Sequence, residues 1–252
     1  MRWRLVPIML CLFVSLSAGV CNASEWRTVS DGFLYKKITV AHRADLEKPS
    51  APGSVHLLLI NPSKFRLSVA TAGQFGLSSA DAKTYAEKSG AVAAINGGFF
   101  TPDYKPLGLI VNNGKTDNAI KWVSWWHVFQ VTDGRAQVVT KPEFLLTSGT
   151  EMAIEAGPRL LVAGEPPATL KPSSAERSAI GVTANGMIII AATEAAPLGM
   201  KEFAGILKDA GCQDALNLDG GSSTQIYVDI NGFKLHRPGF GPVADAVIVM
   251  KR

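Results

Sequence analysis

Residues 214–224 read Asp214-Ala215-Leu216-Asn217-Leu218-Asp219-Gly220-Gly221-Ser222-Ser223-Thr224, an apolar stretch that runs into a carboxylate, two glycines and three hydroxyls. This pattern predicts a short strand followed by a sharp corner, because glycine pairs let the backbone turn tightly or approach a ligand closely. A carboxylate at such a strand end is held by a rigid scaffold while it faces solvent or substrate. Asp-Gly-Gly is also typical of a plain tight turn, so the stretch alone leaves both interpretations open.

A second stretch repeats the design. It reads Ala91-Val92-Ala93-Ala94-Ile95-Asn96-Gly97-Gly98-Phe99-Phe100, again an apolar strand, a short polar residue and two glycines. Each predicted strand also follows a helix-like segment that ends at a glycine, residues 78–90 and 199–211. If the two strands belong to one sheet, both glycine corners open on the same cleft, and we expect a site built from two loops.

The rest of the chain indicates many strands and few helices. Residues 199–210 form the best predicted helix, because Phe203, Ile206 and Leu207 share one face and Gly211 ends the pattern. The clearest hairpin pairs residues 178–184 with residues 187–193 through the turn dipeptide Asn185-Gly186. We therefore expect an α+β fold, rich in mixed or antiparallel sheet, with two or three packed helices in a single domain spanning residues 24–252.

Composition supports a folded domain and excludes some partners. Of the 252 residues, 47% are hydrophobic and 18% are charged, which argues against disorder. The net charge is +4, and loss of Arg2 and Arg4 with a cleaved leader lowers it to +2. A charge this small provides no strong field for nucleic acid or a membrane surface.

The first residues have the pattern of an export signal. Arg2 and Arg4 precede an apolar run over residues 5–20, and small residues follow, so residues 1–23 are predicted to be a cleaved signal peptide. The alternative is an uncleaved anchor, although the run is short for a spanning helix. We expect a secreted, periplasmic protein with no stable membrane anchor. Cleavage removes Cys11 and Cys21 and leaves Cys212, so no internal disulfide is expected.

Two further segments concentrate side chains that could bind ligand. Trp122, Trp125, Trp126 and His127 lie in or beside a predicted strand over residues 123–129; such a cluster stacks on sugar rings or, more commonly, fills a core. Residues 154–161 place Glu155 and Arg159 on either side of a Gly-Pro turn in an apolar run. Buried charges are costly unless paired or used, so the two form either a structural pair or a catalytic carboxylate beside a cation. The scattered histidines have no metal-site spacing.

Four ordered motifs together resemble the phosphodiester glycosidase family, which includes the N-acetylglucosamine-1-phosphodiester α-N-acetylglucosaminidase domain and secreted bacterial relatives. They are residues 96–100, residues 155–160, Arg177 with residues 179–181, and residues 217–221 with Ser223. The resemblance covers about residues 91–249. One departure is Ser222, where many members have a third glycine, and this bears on the shape of the loop.

The resemblance implies hydrolysis of a sugar-1-phosphodiester, in the cell envelope or on exopolysaccharide, with cleavage of the glycosidic C1–O bond and release of a phosphomonoester. A carboxylate would act as nucleophile or base at the sugar, and cations would hold the leaving phosphate. The implied catalytic residues are Asp219, as first choice, and Glu155. The implied substrate-binding residues are Asn96, Gly97, Gly98, Arg159, Arg177, Gly220, Gly221 and Ser223.

Two alternatives accompany this reading. The chain could be a non-catalytic glycan- or phosphoglycan-binding protein of the envelope, in which case its carboxylates would be paired off and the ligand left unchanged. No cofactor is predicted, but Asp219 and Glu155 could supply oxygen ligands to a divalent cation such as calcium. The expected partner in every case is a small or polymeric sugar phosphodiester rather than nucleic acid.

Overall fold

The computed structural model describes residues 25–41 and 52–252. The predicted signal peptide lies outside the described residues and stays a prediction. Two α-helices occur in the described part of the chain, α1 (Ala82–Ser89) and α2 (Met200–Asp209), with short 3-10 helices at Ala72–Phe75, Lys141–Glu143 and Gly221–Ser223.

The strands of the first half of the chain are β1 (Arg27–Ser30), β2 (Phe33–Val40), β3 (Gly53–Ile60), β4 (Phe65–Thr71), β5 (Ala93–Asn96), β6 (Ile110–Asn112), β7 (Lys115–Asn118), β8 (His127–Thr132) and β9 (Arg135–Val139). Those of the second half are β10 (Thr150–Ala156), β11 (Arg159–Leu161), β12 (Ser174–Ala175), β13 (Ser178–Thr183), β14 (Ile188–Glu194), β15 (Leu198–Gly199), β16 (Cys212–Asn217), β17 (Ile226–Ile230), β18 (Phe233–Arg237) and β19 (Asp245–Lys251).

The strands form three main sheets. The first has the order β1-β2-β3-β14-β13-β16-β11, the second β7-β6-β10-β8-β9, and the third β18-β17-β5-β19-β4, while β12 and β15 pair separately. All pairings between these named strands are antiparallel. The predicted α+β class, rich in antiparallel sheet, is therefore confirmed.

The inner faces of the three sheets share one core. Leu58 from the first sheet, Phe129 from the second and Ile95 from the third belong to the same buried cluster. Each helix then covers an outer face, α1 on the third sheet and α2 on the first. Because both faces of these two sheets are covered, all of β5 and the last three residues of β16, which lead into the glycine corners, are buried.

Helix boundaries follow local chemistry. Helix α1 begins after Asp81, whose carboxylate accepts a hydrogen bond from the Thr84 amide at 2.7 Å, and not at residue 78 as the sequence pattern predicts. Ala80 instead forms a β-bridge with Val243, which keeps the preceding backbone extended. Helix α2 ends where predicted, with Gly211 in the left-handed conformation at a φ of +90°.

The sequence predicts the positions of the hairpin turns correctly but places the start of the tryptophan-containing strand too early. The Asn185-Gly186 turn joins β13 and β14, and Asp133-Gly134 joins β8 and β9, as their dipeptides predict. The strand expected over residues 123–129 begins only at His127. In the tryptophan segment the Trp126 side chain is buried, whereas that of Trp122 is 71% exposed, so the cluster is divided between core and surface.

A polar chain of side chains ties the first sheet to the third. The Tyr35 hydroxyl and Nδ1 of buried His56 are 2.8 Å apart, and Nε2 of His56 lies 2.9 Å from Glu194. Arg237 of β18 completes the link with an ion pair to Glu194 at 2.8 Å. Burial lowers the pKa of His56, so the ring is neutral at physiological pH and the link is structural.

None of the helices in residues 25–41 and 52–252 has the length and apolar character needed to cross a membrane.

The packing of β13 against β16 generates a matched pair of predictions. A methyl group on Gly181 would lie 2.5 Å from both the Asp214 carbonyl oxygen and the Cys212 sulfur, whereas one on Gly205 of α2 would meet nothing within 4 Å. We expect Gly181→Ala to lower the free energy of unfolding by about 1–3 kcal/mol through overpacking. Gly205→Ala should raise it by about 0.5–1 kcal/mol, because alanine favours a helix. Urea unfolding of both variants measures the difference, and equal effects would contradict it.

Candidate active site

The first glycine corner ends β5. Asn96 is fully buried, and Gly97 and Gly98 follow it, with the amides of both glycines donating to Asp245: Gly97 to its carbonyl at 3.0 Å and Gly98 to its Oδ1 at 2.9 Å. A methyl group on Gly97 would lie 1.9 Å from that Oδ1. Glycine is required at this position because the carboxyl group of Asp245 occupies the space that a side chain would take.

The second corner follows β16. Asp219 is half-buried, and its Oδ1 accepts a hydrogen bond from the Gly220 amide at 3.0 Å. The short helix Gly221–Ser223 then brings the Ser223 side chain back to hydrogen-bond with the Asp219 carboxylate. Gly221 has a φ of +61° and donates its amide to the Glu176 carbonyl at 2.8 Å.

The two corners are in direct contact, although β5 and β16 do not share a sheet as the sequence pattern assumes: β5 lies in the third sheet and β16 in the first. The Asn96 side-chain amide donates to the Asp219 carbonyl at 2.7 Å, and the Asp219 amide donates to the Gly97 carbonyl at 3.1 Å. The Asn96 amide oxygen accepts from the Ser178 hydroxyl at 2.7 Å and from the Gln225 amide at 3.2 Å. Asn96 is therefore occupied by protein partners and fixes the backbone that carries Asp219.

The pKa of Asp219 is shifted by its surroundings. Burial raises its pKa, while hydrogen bonds from Ser223 and Gly220 lower it. Among the salt bridges of the described residues none involves Asp219. The group is thus partly open to solvent and not neutralised by a cation.

Asp245 is a second carboxyl group at the corners, which lies within the residues 91–249 that resemble the family but for which the sequence predicted no role. It is the first residue of β19 and is 1% exposed, and its Oδ2 has no hydrogen-bond partner. Burial and then the charge of Asp219 raise its pKa, against the Gly98 hydrogen bond, to about 7. The sequence feature that indicates a special role is its position, because Asp245 is a single charged residue between the apolar pair Val243-Ala244 and the apolar run 246–250.

Glu155 lies close to the corners through its backbone but not through its carboxylate. Its carbonyl oxygen would lie 3.1 Å from a methyl group on Gly98. Its fully buried side chain accepts hydrogen bonds at Oε2 from the amides of Leu109, at 2.9 Å, and Lys121, at 2.8 Å. The ammonium group of Lys141, also buried, is 3.7 Å from Oε1. The carboxylate thus holds together the residue before β6 and the segment between β7 and β8.

Arg159 is likewise paired. It faces Leu216 across the β11–β16 ladder, and its guanidinium group forms an ion pair with Asp214, near the start of β16 and away from the corner at its end. The partners of the two charges that flank the Gly-Pro turn are therefore Lys141 and Asp214, and not each other. The turn does reach the site through its backbone, since the Pro158 carbonyl accepts from the Asn217 amide at 2.9 Å.

Arg177 is buried directly behind the second corner. Its Cα would lie 3.9 Å from a methyl group on Gly220. The guanidinium group donates to the Leu198 carbonyl at 3.1 Å and to the Ser173 hydroxyl at 3.1 Å, and burial lowers its pKa. No carboxylate in the described residues forms a salt bridge with it, in contrast to Arg159.

Aromatic side chains lie next to both corners. Phe99, directly after Gly98, stacks on Trp126 with ring centroids 5.0 Å apart, and Trp125 packs edge-on at 5.8 Å from Phe99 while remaining 48% exposed. On the other side Phe240 is 91% exposed, and its amide donates to the Ser222 carbonyl at 2.9 Å. The exposed rings, Trp125 and Phe240, provide apolar surface next to the corners of the kind on which sugars stack.

Residues 25–41 and 52–252 contain no group of three or more histidine, cysteine, aspartate or glutamate side chains placed to hold a metal ion. The two acids considered as calcium ligands, Asp219 and Glu155, make separate sets of contacts.

The environment of Glu155 predicts a structural effect on substitution. We expect Glu155→Gln to lower the free energy of unfolding by about 3–5 kcal/mol, because it leaves the Lys141 charge buried and uncompensated. Glu165→Gln is the matched control, since its ion pair with Lys208 is exposed and is worth about 0–1 kcal/mol. Chemical denaturation of both variants measures the costs. A Glu155→Gln protein as stable as the control would contradict the structural role.

Comparisons with solved structures identify similar folds. The catalytic domain of zebrafish N-acetylglucosamine-1-phosphodiester α-N-acetylglucosaminidase, auto-inhibited by its pro-peptide, is 17% identical, with a TM-score of 0.68, over 92% of this chain and 88% of that one. A protein from Synechocystis is 20% identical, with a TM-score of 0.61, over 92% of this chain; the match spans 64% of the Synechocystis protein. A protein from Burkholderia pseudomallei, described as exported, is 16% identical, with a TM-score of 0.55, over 79% of this chain and 74% of that one.

Sequence comparison identifies the family. No curated protein sequence matches the chain. The family model for phosphodiester glycosidase matches residues 89–250, which include both glycine corners, the Gly-Pro turn and Asp245. The chain therefore belongs to the phosphodiester glycosidase family.

Proposed function

We propose that the chain hydrolyses a sugar-1-phosphodiester, with Asp219 as the reactive carboxylate. The observation that carries the proposal is the placement of Asp219: half-buried, free of a salt bridge in the described residues, and fixed between two glycine corners. The family supports the class of reaction. Asp245 is less suited to contact substrate because it is 1% exposed.

The chemistry suits a single exposed carboxylate. The C1–O bond breaks with its electron pair leaving on the phosphate oxygen, and water supplies the hydroxyl group that ends on C1. Because a phosphomonoester leaves readily as an anion, the larger demand is for stabilisation of the positive charge that develops on the sugar. Asp219 meets this demand as nucleophile or as base for the water. Ser223 keeps the carboxylate oriented and favours its charged form.

For the leaving phosphate we propose Arg177 as the source of positive charge. Its guanidinium lacks a carboxylate partner in the described residues, and its backbone lies against Gly220. Arg159 is a weaker candidate, because Asp214 neutralises it. The role for Glu155 that we propose is structural, since its Oε2 accepts from the amides of Leu109 and Lys121 and its Oε1 lies 3.7 Å from the Lys141 ammonium group. Asn96 is proposed as a positioning residue for Asp219.

The proposed setting is the cell envelope. The leader pattern of residues 1–23 supports export, and a similar fold occurs in a Burkholderia pseudomallei protein described as exported. The exposed rings of Phe240 and Trp125 beside the corners support a substrate that extends beyond one sugar, such as a phosphodiester in an exopolysaccharide.

Substitution of Asp219 tests the proposal. Mature protein is incubated with a panel of sugar-1-phosphodiesters and released free sugar is measured. We expect Asp219→Asn to lower kcat/KM by at least about 10³-fold, since it removes the reactive charge while preserving shape. Asp229→Asn, a surface aspartate paired with Lys234, is the matched control. Binding of a phosphodiester without turnover by the wild type would instead support a non-catalytic glycan-binding protein.

The hydrogen bond from Ser223 generates a prediction about pH. Because it lowers the pKa of Asp219, Ser223→Ala should raise that pKa and move the acid limb of kcat/KM to higher pH. Ser222→Ala, at the exposed neighbouring hydroxyl, should leave the limb in place. The pH–rate profiles of the two variants decide the matter. An unmoved limb in Ser223→Ala would show that Asp219 is not the group that titrates.

A further inference from the structure

Asp245 is a buried carboxyl group that has no role in the proposed reaction. It lies on β19, between β5 and β4, and its Oδ1 accepts a single hydrogen bond, from the Gly98 amide. Oδ2 is buried and has no partner. A carboxylate with one unpartnered oxygen in a buried site is costly, whereas a carboxylic acid avoids most of that cost. The geometry therefore favours a neutral Asp245 with a proton on Oδ2.

The charges around Asp245 lead to the same conclusion. Two titratable groups interact with it in the described part of the chain. Asp219, from the second corner, disfavours a second negative charge. Tyr85, from α1, is a buried phenol that donates to the Val243 carbonyl, and burial and Asp245 raise its pKa, so it stays neutral. Thr71 faces Asp245 from β4, and Gly97, directly after β5, donates its amide to the Asp245 carbonyl; both are uncharged. No lysine, arginine or histidine in the described residues contributes to the pKa of Asp245.

Asp245 and Asp219 are linked through one residue. The carboxyl group of Asp245 fills the space beside Gly97, and the carbonyl of Gly97 accepts the amide of Asp219. Of the two acids, Asp219 is the more exposed and ionises first. Over the range in which Asp219 alone is ionised, the pair carries one negative charge, as in coupled carboxyl pairs generally.

We propose that Asp245 is a positioning residue of the candidate active site, which as a neutral acid holds the Gly97-Gly98 corner against Asp219 and by losing its proton ends activity on the alkaline side. This inference rests on the proposed function. Ionisation of Asp245 puts a second negative charge behind Asp219, and that charge repels an anionic phosphodiester and weakens its binding. Asp245 itself does not contact the substrate.

The test compares the pH dependence of kcat/KM in the wild type and Asp245→Asn, with Asp229→Asn as the matched control on the same sheet. Asparagine keeps an oxygen for the Gly98 amide and cannot ionise. We expect the wild type and Asp229→Asn to lose activity above about pH 7, in line with the pKa of Asp245, and the alkaline limb of Asp245→Asn to move up by at least about one pH unit. The loss in the wild type should be mainly in KM.

Two measurements separate failure of this inference from failure of the proposed function. An identical alkaline limb in wild type and Asp245→Asn would overturn the inference while leaving Asp219 as the reactive group. If no phosphodiester is turned over, the proposed function fails, and thermal unfolding still tests the neutral acid. The pKa of Asp245 in the folded protein is raised above the unfolded value of 3.8. The contribution of Asp245 to the free energy of unfolding is therefore greatest below pH 3.8 and is lost as the pH rises towards 7. Asp245→Asn should therefore gain Tm relative to the wild type between pH 5 and pH 8.

A measurement on the wild type alone covers the case in which Asp245→Asn does not fold. Carbon-13 NMR of the aspartate carboxyl groups follows the titration of each one. The resonance of Asp245 should titrate near neutrality, whereas those of surface aspartates should titrate at the lower pH that is usual for aspartate. If every aspartate titrates below about pH 5, Asp245 is ionised in the native protein and the inference is wrong.

Discussion

The side-chain amide of Asn96 is the interaction on which the candidate site depends. It lies fully buried at the end of β5 and joins four segments: its own strand, the Asp219 corner, Ser178 on β13 and Gln225 before β17. Two of its hydrogen bonds leave the third sheet, one to Ser178 of the first sheet and one to the Asp219 corner, while the third joins it to the segment before the neighbouring strand β17. A buried polar network that is fully satisfied fixes one arrangement of its members, because any other arrangement leaves polar groups unpaired.

That arrangement explains how a weak local motif becomes a site. An Asp-Gly-Gly sequence alone specifies only a turn. Contact with the Asn96 corner fixes the direction of the Asp219 backbone, while Ser223 and Gly220 orient its carboxylate. The same contact brings Asp245 within electrostatic reach of Asp219. One acid then remains accessible while the other is buried, and the difference in their surroundings depends on burial rather than on residue type.

The features that the sequence predicted are those determined over short distances. The Asn185-Gly186 hairpin and the end of α2 at Gly211 follow from backbone preferences of a few neighbouring residues. The partners of charged residues could not be predicted in this way. Glu155 and Arg159 flank one turn, yet they pair with Lys141 and Asp214, which the tertiary fold brings to them. The role of Asp245 could not be predicted because its neighbour Gly98 is 147 positions away in the chain. The strand predicted over residues 123–129 begins late because its first residues form a turn, in which the Trp126 amide donates to the Val123 carbonyl at 3.0 Å.

The strand order of the third sheet has a consequence for how the molecule assembles. β19 is inserted between β5 and β4, so the sheet stays open until a strand from a distant part of the chain arrives. Such non-local pairing makes folding slow compared with folding through neighbouring segments. Asp245 is the first residue of that inserted strand, and its environment exists only once the strand is in place. The pKa of Asp245 therefore indicates whether folding is complete, and it can be measured during refolding without any substrate.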